Sequence, residues 1–390
     1  MIKAEDALGL VFDHSDSLEK YRLSLSKGIS YYVAEAIFSP IDMPPFRQSA
    51  MDGYALNLSD GNTYKVIGEI KAGDSYNPKL EKGEAVRIFT GAAVPKSANS
   101  VVVQEKVAVK NKTITLDVAS RPGDNIRPIG EQVKANTLAL KKGTRLTPAA
   151  IGYLASLGIT DVEVYKKPRI AILVTGDELV EAGQDIAYGE IYESNSLMLS
   201  SALKSTDFTD VAIFKIKDDY KSTYTILNKV IADYDAILIT GGISVGDYDF
   251  VGKALRELAV QQVFYKIKQK PGKPFFFGKK EGTSIFALPG NPAAALSCFY
   301  VYVYPALLKM SGNPEAFSPK VMAKSASVYS KKGNGSQFLK AIHTADKVTF
   351  LEGQSSSMLQ TFALANALVY IPEEQSHIAI GDVVQVIPIP

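Results

Sequence analysis

Apolar residues recur at helical spacing in three segments of the N-terminal part of the chain. The spacing predicts helices over Lys3–Phe12, Leu18–Ser26 and Ala149–Leu157. Thr147 precedes a proline at the start of the third helix, which is the usual order of an N-cap and a first helical residue. Gly158 follows the last helical residue, where glycine commonly ends a helix.

Strand-like segments occupy the chain from Tyr64 to Leu116. They are rich in β-branched residues, and Gly, Pro or Asn separates one segment from the next. The segments are YKVIGEI, EAVRIF, SVVVQEKVAV and KTITLDV. They predict a small all-β domain inserted between the second and third helices.

Short apolar strands alternate with helical segments from Arg169 to Met310. The predicted strands are RIAILVT, VAIFKI, AILIT, VFYKI, PFFFG and TSIFAL. The predicted helices are Ser196–Lys204, Ser222–Asp233, Phe250–Leu258 and Ala293–Met310. This alternation predicts right-handed βαβ units and a doubly wound, mostly parallel sheet. After Pro319 the chain returns to short β segments, which predict a separate, barrel-like β domain.

The sequence therefore predicts a multidomain α/β plus β protein. Residues 1–45 and 133–166 form a helical and linker domain, and residues 46–132 form the inserted β domain. Residues 167–317 form the α/β domain, and residues 318–390 form the C-terminal β domain. Ligands of doubly wound sheets bind beyond the carboxyl ends of the strands, so the chemistry is expected there.

The composition of the 390 residues is that of a soluble globular protein, with 46% hydrophobic and 22% charged residues. Lys and Arg number 43 against 41 Asp and Glu, so no nucleic-acid surface is indicated. Glu5 and Asp6 stand where a signal peptide would be apolar, and no run is long and apolar enough to span a membrane. We therefore expect a cytoplasmic protein without a nucleic-acid or membrane partner.

Cysteine and histidine do not indicate a metal site. Cys298 is the only cysteine and lies in an apolar segment, which predicts a core residue and excludes an intrachain disulfide. The three histidines are not at metal-ligand spacing. A bound metal is expected to have oxygen ligands, which suits magnesium.

The segment Asp235–Leu258 combines a buried strand, a glycine turn and a helix. Gly241 and Gly242 permit a sharp turn in which backbone N–H groups approach a ligand, and the N-terminus of the helix favours an anion. Asp247 and Asp249 would repel a phosphate there unless a divalent cation intervenes. The turn predicts a phosphate-bearing ligand with a metal ion, while capping of the helix is the structural alternative.

Other strand ends of the α/β region carry related side chains. Carboxylates follow RIAILVT and VAIFKI, lysines follow VFYKI, and a proline–glycine turn follows TSIFAL. The residues are Asp177, Glu178, Asp218, Asp219, Lys266, Lys268, Lys270, Lys273, Pro289, Gly290, Asn291 and Pro292. Because the carboxyl ends of parallel strands meet at one edge, we expect one site in which acids ligate a divalent ion and lysines hold phosphate.

The same glycine turn also matches the G-x-S-x-G nucleophile elbow, with Ser244 as the nucleophile and His343 or His377 as the base. A nucleophile elbow does not require Asp247 and Asp249. His343 and His377 both lie in the predicted C-terminal domain, apart from the turn. Phosphate chemistry is therefore favoured over a serine hydrolase. The glycine fingerprints of dinucleotide-binding folds and P-loops are missing from the sequence, which argues against both classes.

Six motifs, spread over nearly the whole chain, match a known family. They are PPFRQSAMDGYA, VRIFTGAAVP, TGDELV, TGGISVGDYDFV, KPGKPFFFG and LPGNPAAA. In this order and spacing they resemble the molybdopterin molybdenumtransferase (MoeA) family, which includes the E domain of gephyrin. The combination of SAMDGYA, TGGxSVG and PGNP is highly specific.

The resemblance implies a molybdopterin-binding α/β domain and an elongated homodimer, with the active site between the α/β domain of one subunit and the β insertion of the other. The implied reaction inserts molybdenum from molybdate into adenylylated molybdopterin and releases AMP, assisted by Mg²⁺. A molybdopterin adenylyltransferase would supply the substrate, and molybdoenzymes or carriers would receive the product. Molybdate and tungstate are nearly isosteric, and the motifs fit both.

The resemblance also implies roles for single residues. The implied catalytic residues are Asp52, Thr90, Glu178, Asp218, Asp249, Lys266 and Lys270. Among them Glu178, Asp218 and Asp249 would bind the metal, and Asp52 and Thr90 would reach across the dimer interface. The implied substrate-binding residues are Arg127, Gly241, Gly242, Ser244, Lys273, Pro289, Asn291, Pro292 and Ser356.

The chain departs from the family pattern at several positions. Arg47 and Gln132 stand where acidic or amide residues are usual, and Ala294 replaces a frequent serine. In the C-terminal motif the first arginine is missing near Gly335, and Lys340 replaces the second. Loss of an arginine fork removes bidentate anion recognition, so a non-catalytic paralogue that carries molybdopterin nucleotide is the alternative function.

Overall fold

The structure is a computed structural model that describes residues 1–242, 250–317 and 321–390. The described chain forms two compact units. The large unit comprises Met1–Arg22, Ser30–Ala34 and Glu163–Pro390. The small unit comprises Leu23–Ile29 and Glu35–Val162. The division into four domains stays a prediction.

Eight α-helices are described. They are α1 Ala4–Asp13, α2 Pro148–Ser156, α3 Asn195–Ser205, α4 Tyr220–Asp233, α5 Phe250–Glu257, α6 Pro292–Cys298, α7 Tyr304–Met310 and α8 Leu359–Leu364. Helices α1 and α2 confirm the predicted N-terminal and third helices, and the Thr147 hydroxyl accepts a hydrogen bond of 3.2 Å from the Ala150 amide as an N-cap. A π-helical segment, Phe299–Val303, joins α6 to α7.

The helix from Pro292 to Met310 corrects one sequence-based statement. By length and composition it could cross a membrane, with a mean hydropathy of 1.3 over its most apolar window. However, 78% of that window is buried inside the protein. Its apolar character therefore serves the core of the large unit, where Phe299 and Tyr302 are fully buried.

The first twelve strands include those of the small unit. They are β1 Lys20–Ser24, β2 Ile37–Phe38, β3 Gln48–Ser49, β4 Gly53–Leu56, β5 Thr63–Ile70, β6 Glu84–Ile88, β7 Ser100–Val103, β8 Val107–Lys110, β9 Thr113–Leu116, β10 Ile126–Arg127, β11 Leu138–Leu140 and β12 Asp161–Tyr165. Six of them form one sheet in the order β7-β4-β6-β5-β9-β8. The predicted small β fold is therefore present, although the short 3-10 helix Gln104–Lys106 divides SVVVQEKVAV into two strands.

The predicted helix over Leu18–Ser26 is wrong. Its residues form β1, which pairs with β12, followed by the short 3-10 helix Leu25–Lys27. Tyr21, Leu23 and Leu25 are more buried than the residues between them, which is the two-residue period of a strand. In so short a segment, this period and the helical one share several positions.

The α/β part contains β13 Ile170–Thr175, β14 Leu179–Val180, β15 Ile191–Tyr192, β16 Val211–Ile216, β17 Ala236–Thr240, β18 Gln261–Tyr265, β19 Gln269–Lys270, β20 Phe276–Lys280 and β21 Thr283–Leu288. Its main sheet has the order β16-β13-β17-β21-β20-β18. The first four strands are parallel. Strand β20 runs antiparallel to β21, and β18 runs antiparallel to β20 and therefore in the direction of the first four. The two-residue turn Glu281–Gly282, with φ of +51° and +91°, reverses the chain between β20 and β21.

Helices cover both faces of this sheet, as the doubly wound prediction requires. On one face, side chains of α3 and of the α6–α7 helix pack against alternate residues of β13 and β17. On the other face, α4 and α5 pack against the residues in between. Strands β13, β17 and β21 are buried on both sides, which explains why they are mostly apolar.

The C-terminal part forms a closed barrel. Its strands are β22 Val321–Ser325, β23 Tyr329–Ser330, β24 Ser336–Thr344, β25 Lys347–Phe350, β26 Ala367–Ile371, β27 His377–Ile378 and β28 Val383–Pro388. Strands β24, β25, β22, β28 and β26 pair in that order, and β26 returns to pair with β24. Strand β19, which carries Lys270, adds to β24 in parallel, so the lysine-rich loop is attached to the barrel.

Candidate functional site

A cavity of about 430 Å³ lies at the carboxyl ends of the parallel strands β13, β17 and β21. Its walls include Glu178 from the loop after β13 and the Gly241–Gly242 turn after β17. The turn after β21 contributes Pro289, Asn291 and Pro292. With Gly290 of the same turn, seven residues that the sequence assigns to one site line one cavity of the large unit.

The Gly241–Gly242 turn has a shape that only glycine fits. Both residues have positive φ, +86° and +61°. A Cβ at Gly241 would lie 2.2 Å from the carbonyl oxygen of Thr175, and one at Gly242 would lie 2.8 Å from Cγ2 of Val251. The missing side chains let β17 turn directly against the end of β13, which places backbone N–H groups at the cavity wall.

Two acidic loops stand side by side at this edge. The Thr175 hydroxyl donates to Oδ1 of Asp218 over 3.2 Å, and the Asp218 amide donates to Oδ1 of Asp177 over 3.2 Å. The Glu178 carboxylate folds back against Gly176, where an added Cβ would lie 2.8 Å from Oε2. These contacts fix Asp218 and the loop of Glu178 at the ends of neighbouring strands.

Asp219, next in sequence to Asp218, has a structural role. It is the N-cap of α4, and Oδ1 accepts a hydrogen bond of 2.9 Å from the Ser222 amide. This bond lowers the pKa of Asp219. The Asp219 carboxylate thus caps a helix, while Asp218 stays the predicted metal ligand of this pair.

The chemistry of the donors suits magnesium. Within the described ranges, no cluster of three or more His, Cys, Asp and Glu residues could hold a metal ion by itself. Asp249, the third expected ligand, lies outside the described residues, as do Asp247 and Ser244. Mg²⁺ is commonly bound by one or two carboxylates together with waters and substrate phosphates, so Glu178 and Asp218 fit such a site.

Lys266, Lys270 and Lys273 belong to the segment between β18 and β20, with Lys270 in β19, and do not line the described part of the cavity. Lys266 has a φ of +66°, and its ammonium lies 4.9 Å from the centre of the Tyr265 ring. The carbonyl of Lys273 accepts a hydrogen bond of 3.0 Å from the Ile267 amide. These lysines thus lie in one segment of the chain. The segment reaches the cavity at Pro274, which follows Lys273 and lines the cavity wall.

Ser356 is brought to the rim of the cavity by the barrel. Its hydroxyl accepts a hydrogen bond of 3.2 Å from Nδ2 of Asn291. The flanking serines, Ser355 and Ser357, bond to each other through their hydroxyls over 3.2 Å. Among these three serines, Ser356 is the one whose hydroxyl contacts a residue that lines the cavity.

Asp52 and Thr90 form a pair within the small unit. The amide and the hydroxyl of Thr90 both donate to Oδ1 of Asp52, over 2.7 Å and 2.8 Å. These two hydrogen bonds lower the pKa of Asp52, and the Arg87 guanidinium adds to the effect. Arg127 is exposed on β10, which pairs with β3. The small unit thus holds Asp52 ionised beside a threonine hydroxyl.

Asn195 and Thr240 line the cavity but were not singled out by the sequence. Oδ1 of Asn195 and the Thr240 hydroxyl are buried and have no hydrogen-bond partner among the described residues. Nδ2 of Asn195 donates to the carbonyl of Gly290 over 2.8 Å, which leaves Oδ1 as a free acceptor. The polar run Tyr192–Ser196 before α3 was the available signal for Asn195, whereas Thr240 closes an apolar strand.

We expect Thr240→Val to change binding and stability in opposite directions. Valine has the same shape, so loss of a buried hydroxyl that has no partner among the described residues should raise the free energy of unfolding by about 1 kcal/mol. If the hydroxyl serves a ligand, the affinity for adenylylated molybdopterin, the substrate that the sequence resemblance implies, should fall about tenfold. Urea unfolding and equilibrium binding measure the two effects.

Ser284→Ala is the matched control for this substitution. Ser284 is 1% exposed, has an unpartnered hydroxyl among the described residues, and stands at the opposite end of the neighbouring strand β21. The Ser284→Ala substitution should raise the free energy of unfolding by a similar amount and leave the ligand affinity unchanged. Equal affinities of the Thr240→Val and wild-type proteins would contradict a ligand contact of Thr240.

Family models cover most of the chain. Residues 2–158 match the MoeA N-terminal region (domains I and II), residues 171–309 a probable molybdopterin binding domain, and residues 323–389 the MoeA C-terminal region (domain IV). A molybdopterin molybdenumtransferase of Haemophilus influenzae is 35% identical over 94% of this chain and 93% of its own length. The chain belongs to the MoeA family of molybdopterin molybdenumtransferases.

Other MoeA relatives agree. Molybdopterin molybdenumtransferase 2 of Mycobacterium tuberculosis is 35% identical over 90% of each chain. The crystal structure of the molybdopterin biosynthesis MoeA protein from Pyrococcus horikoshii has a TM-score of 0.86 and 28% identity, covering 99% of each chain. The predicted family and fold class are confirmed, and this chain is a member of an enzyme family of molybdenum cofactor biosynthesis.

Two departures from the MoeA pattern have a structural explanation. The Arg47 guanidinium donates to the carbonyls of Ala98 and Pro95, over 3.0 Å and 2.5 Å, and so braces the small unit. A Cβ at Gly335 would lie 2.7 Å from the carbonyl oxygen of Lys268. An arginine placed at residue 335 would therefore collide with the backbone of the lysine loop, and such a replacement would not restore a missing anion contact.

Proposed function

We propose that this protein inserts molybdenum from molybdate into adenylylated molybdopterin, with release of AMP, in a magnesium-dependent reaction. The observation that carries the proposal is the cavity at the strand ends, where an acidic wall, a glycine turn and a proline–asparagine turn meet. Membership of the MoeA family supplies the substrate class.

Each part of the site has a distinct task in this proposal. Glu178 lines the cavity, and Asp218 lies beside it, bonded to the cavity residue Thr175. Glu178 and Asp218 would hold Mg²⁺, which lowers the negative charge of the substrate's pyrophosphate when it is bound. The Gly241–Gly242 turn directs backbone N–H groups at phosphate oxygens, and the Pro289–Pro292 turn shapes the pterin side of the cavity. Ser356, bonded to Asn291, would contact the oxyanion. The lysines of the neighbouring loop would balance the negative charge of the pyrophosphate and molybdate.

The test is AMP release from adenylylated molybdopterin by the full-length protein, with and without Mg²⁺ and molybdate. AMP release that requires both would establish the insertase. Tight binding of the nucleotide without AMP release would establish the carrier function instead. Absence of binding would overturn the proposal.

We further propose a homodimer in which Asp52, Thr90 and Arg127 of one copy serve the cavity of the other. The support is the Asp52–Thr90 pair, in which an exposed, ionised carboxylate is held beside a threonine hydroxyl from a different loop. Co-expression of Asp52→Asn with Asp218→Asn chains tests this arrangement. In mixed dimers one site carries both substitutions and the other carries neither, so about a quarter of wild-type activity should return.

A control for this complementation is the mixture of separately purified variants before subunit exchange, which should remain inactive. If the co-expressed variants form mixed dimers but stay inactive, both residues serve the same copy and the shared site is refuted.

We also propose a cytoplasmic location, with a molybdopterin adenylyltransferase as the upstream donor and molybdoenzymes or carriers as recipients. These partners follow from the chemistry of the proposed substrate and product.

A further inference from the structure

Lys340 is a buried cation in the C-terminal barrel. It lies in the middle of β24 and is 3% exposed. Its ammonium donates to the carbonyls of Gly353, Ser355 and Met358, over 2.8 Å, 3.1 Å and 3.1 Å. A lysine ammonium has three N–H donors, so these carbonyls use all of them.

A cation with no free donor is poorly suited to bind an oxyanion. Burial also lowers the pKa of Lys340 from its ordinary value. The sequence motif suggested an anion-binding basic residue at this position, where the family has an arginine. The geometry points to a different task.

We propose that Lys340 is a positioning residue that braces the loop of residues 353–358 and thereby holds Ser356 at the rim of the cavity. The loop is the segment between β25 and α8 that the three carbonyls belong to. The Ser355 carbonyl, one residue from Ser356, is bonded to the brace. The inference rests on the proposed function, because Ser356 is taken there to contact the oxyanion.

The loop has further bonds to the same strand position. The backbone of Lys340 and the side-chain amide of Gln354 exchange two hydrogen bonds, each of 2.9 Å. Gln354 also donates to the carbonyl of Leu351 over 2.7 Å. Gly353 has a φ of +74°, and a Cβ there would lie 2.6 Å from the Thr361 hydroxyl. One residue of β24 thus fixes both the start and the middle of the loop.

Hydrogen exchange of the free, full-length protein tests the brace without reference to activity. Lys340→Met keeps the length of the side chain and removes its donors, so the amides of Met358 and Leu359, which donate to the carbonyls of Ser355 and Ser357, should exchange about tenfold faster or more. Lys347→Met, an exposed lysine on the adjacent strand β25, is the control and should leave their exchange unchanged. Lys340→Arg, which restores N–H donors, should recover part of the protection.

Kinetics then distinguish a brace for Ser356 from a general structural role. Lys340→Met and Ser356→Ala should each raise the KM for molybdate about tenfold with little change in kcat, and the double variant should resemble either single variant. Ser356→Ala should not change exchange in the loop. If Lys340→Met is poorly folded, the milder Gln354→Leu should show the same pairing of faster exchange and raised KM.

The outcomes separate this inference from the proposed function. Loop protection that is unchanged in Lys340→Met, whatever happens to activity, would overturn the brace. Faster loop exchange with an unchanged KM for molybdate, or a double variant whose effects add, would overturn the positioning of Ser356. If the wild-type protein releases no AMP, the proposed function fails, while the exchange experiment still decides whether Lys340 holds the loop.

Discussion

Asp218→Asn should lower magnesium-dependent AMP release by about 100-fold to 1,000-fold. Asparagine has the same shape and keeps an oxygen that can accept the 3.2 Å hydrogen bond from the Thr175 hydroxyl. The fold should therefore survive, while the charge that would hold a divalent ion beside the pyrophosphate is lost. Steady-state AMP release over a range of Mg²⁺ concentrations measures the effect, and the Mg²⁺ needed for half-maximal rate should rise.

Asp210→Asn is the matched control for this prediction. Asp210 is exposed and precedes β16, whereas Asp218 follows the same strand, so the two carboxylates stand at opposite ends of one strand. The control should keep nearly full activity. Comparable losses in both variants, or full activity of Asp218→Asn, would refute the assignment of Asp218 to the site.

Gly241→Ala should destabilise the protein by about 3 kcal/mol or more. The residue has a φ of +86°, and its new Cβ would lie 2.2 Å from the backbone carbonyl of Thr175. Neither atom belongs to a flexible side chain, so β13 and β17 must separate at the edge where the site lies. Urea unfolding followed by circular dichroism measures the loss, and ligand affinity should fall with it.

A substitution at a second glycine separates the cost of the steric clash from the cost of the backbone conformation. Gly189 has a φ of +94° and would meet nothing within 4 Å, so Gly189→Ala should cost only the left-handed backbone strain, about 1–2 kcal/mol. The difference between the two variants is then the contribution of the contact with Thr175. Equal losses would show that the close approach of the two strands is not a constraint.

The α/β elements were predictable because the strands that form the centre of the sheet are buried on both faces and are therefore apolar except near their ends. The site was predictable in outline for a geometric reason, since parallel strands bring their carboxyl ends to one edge. Glu178, Gly241 and Asn291 could be assigned to one edge from the sequence alone, and all three line the cavity.

The features that the sequence did not predict correctly also have physical causes. The segment around Leu23 satisfies both the helical and the strand period over a few residues, and pairing with β12 decides for the strand. Thr240 is the last residue of a strand that is apolar because it is buried, so the sequence pattern gives no sign that its hydroxyl has a role. The direction of the Lys340 ammonium depends on three carbonyls of a distant loop, which a one-dimensional motif does not contain.

Two polar atoms in the cavity, on Asn195 and Thr240, have no partner in the described part of the chain, and their proposed service to a ligand has a consequence for laboratory evolution. A screen that rewards only heat resistance or soluble yield would enrich apolar replacements at such positions, because the empty protein gains from them. Each enriched variant would look like an improved protein while it lost the ability to recognise its ligand. Selection for robust variants of this chain should therefore keep the substrate present at every round.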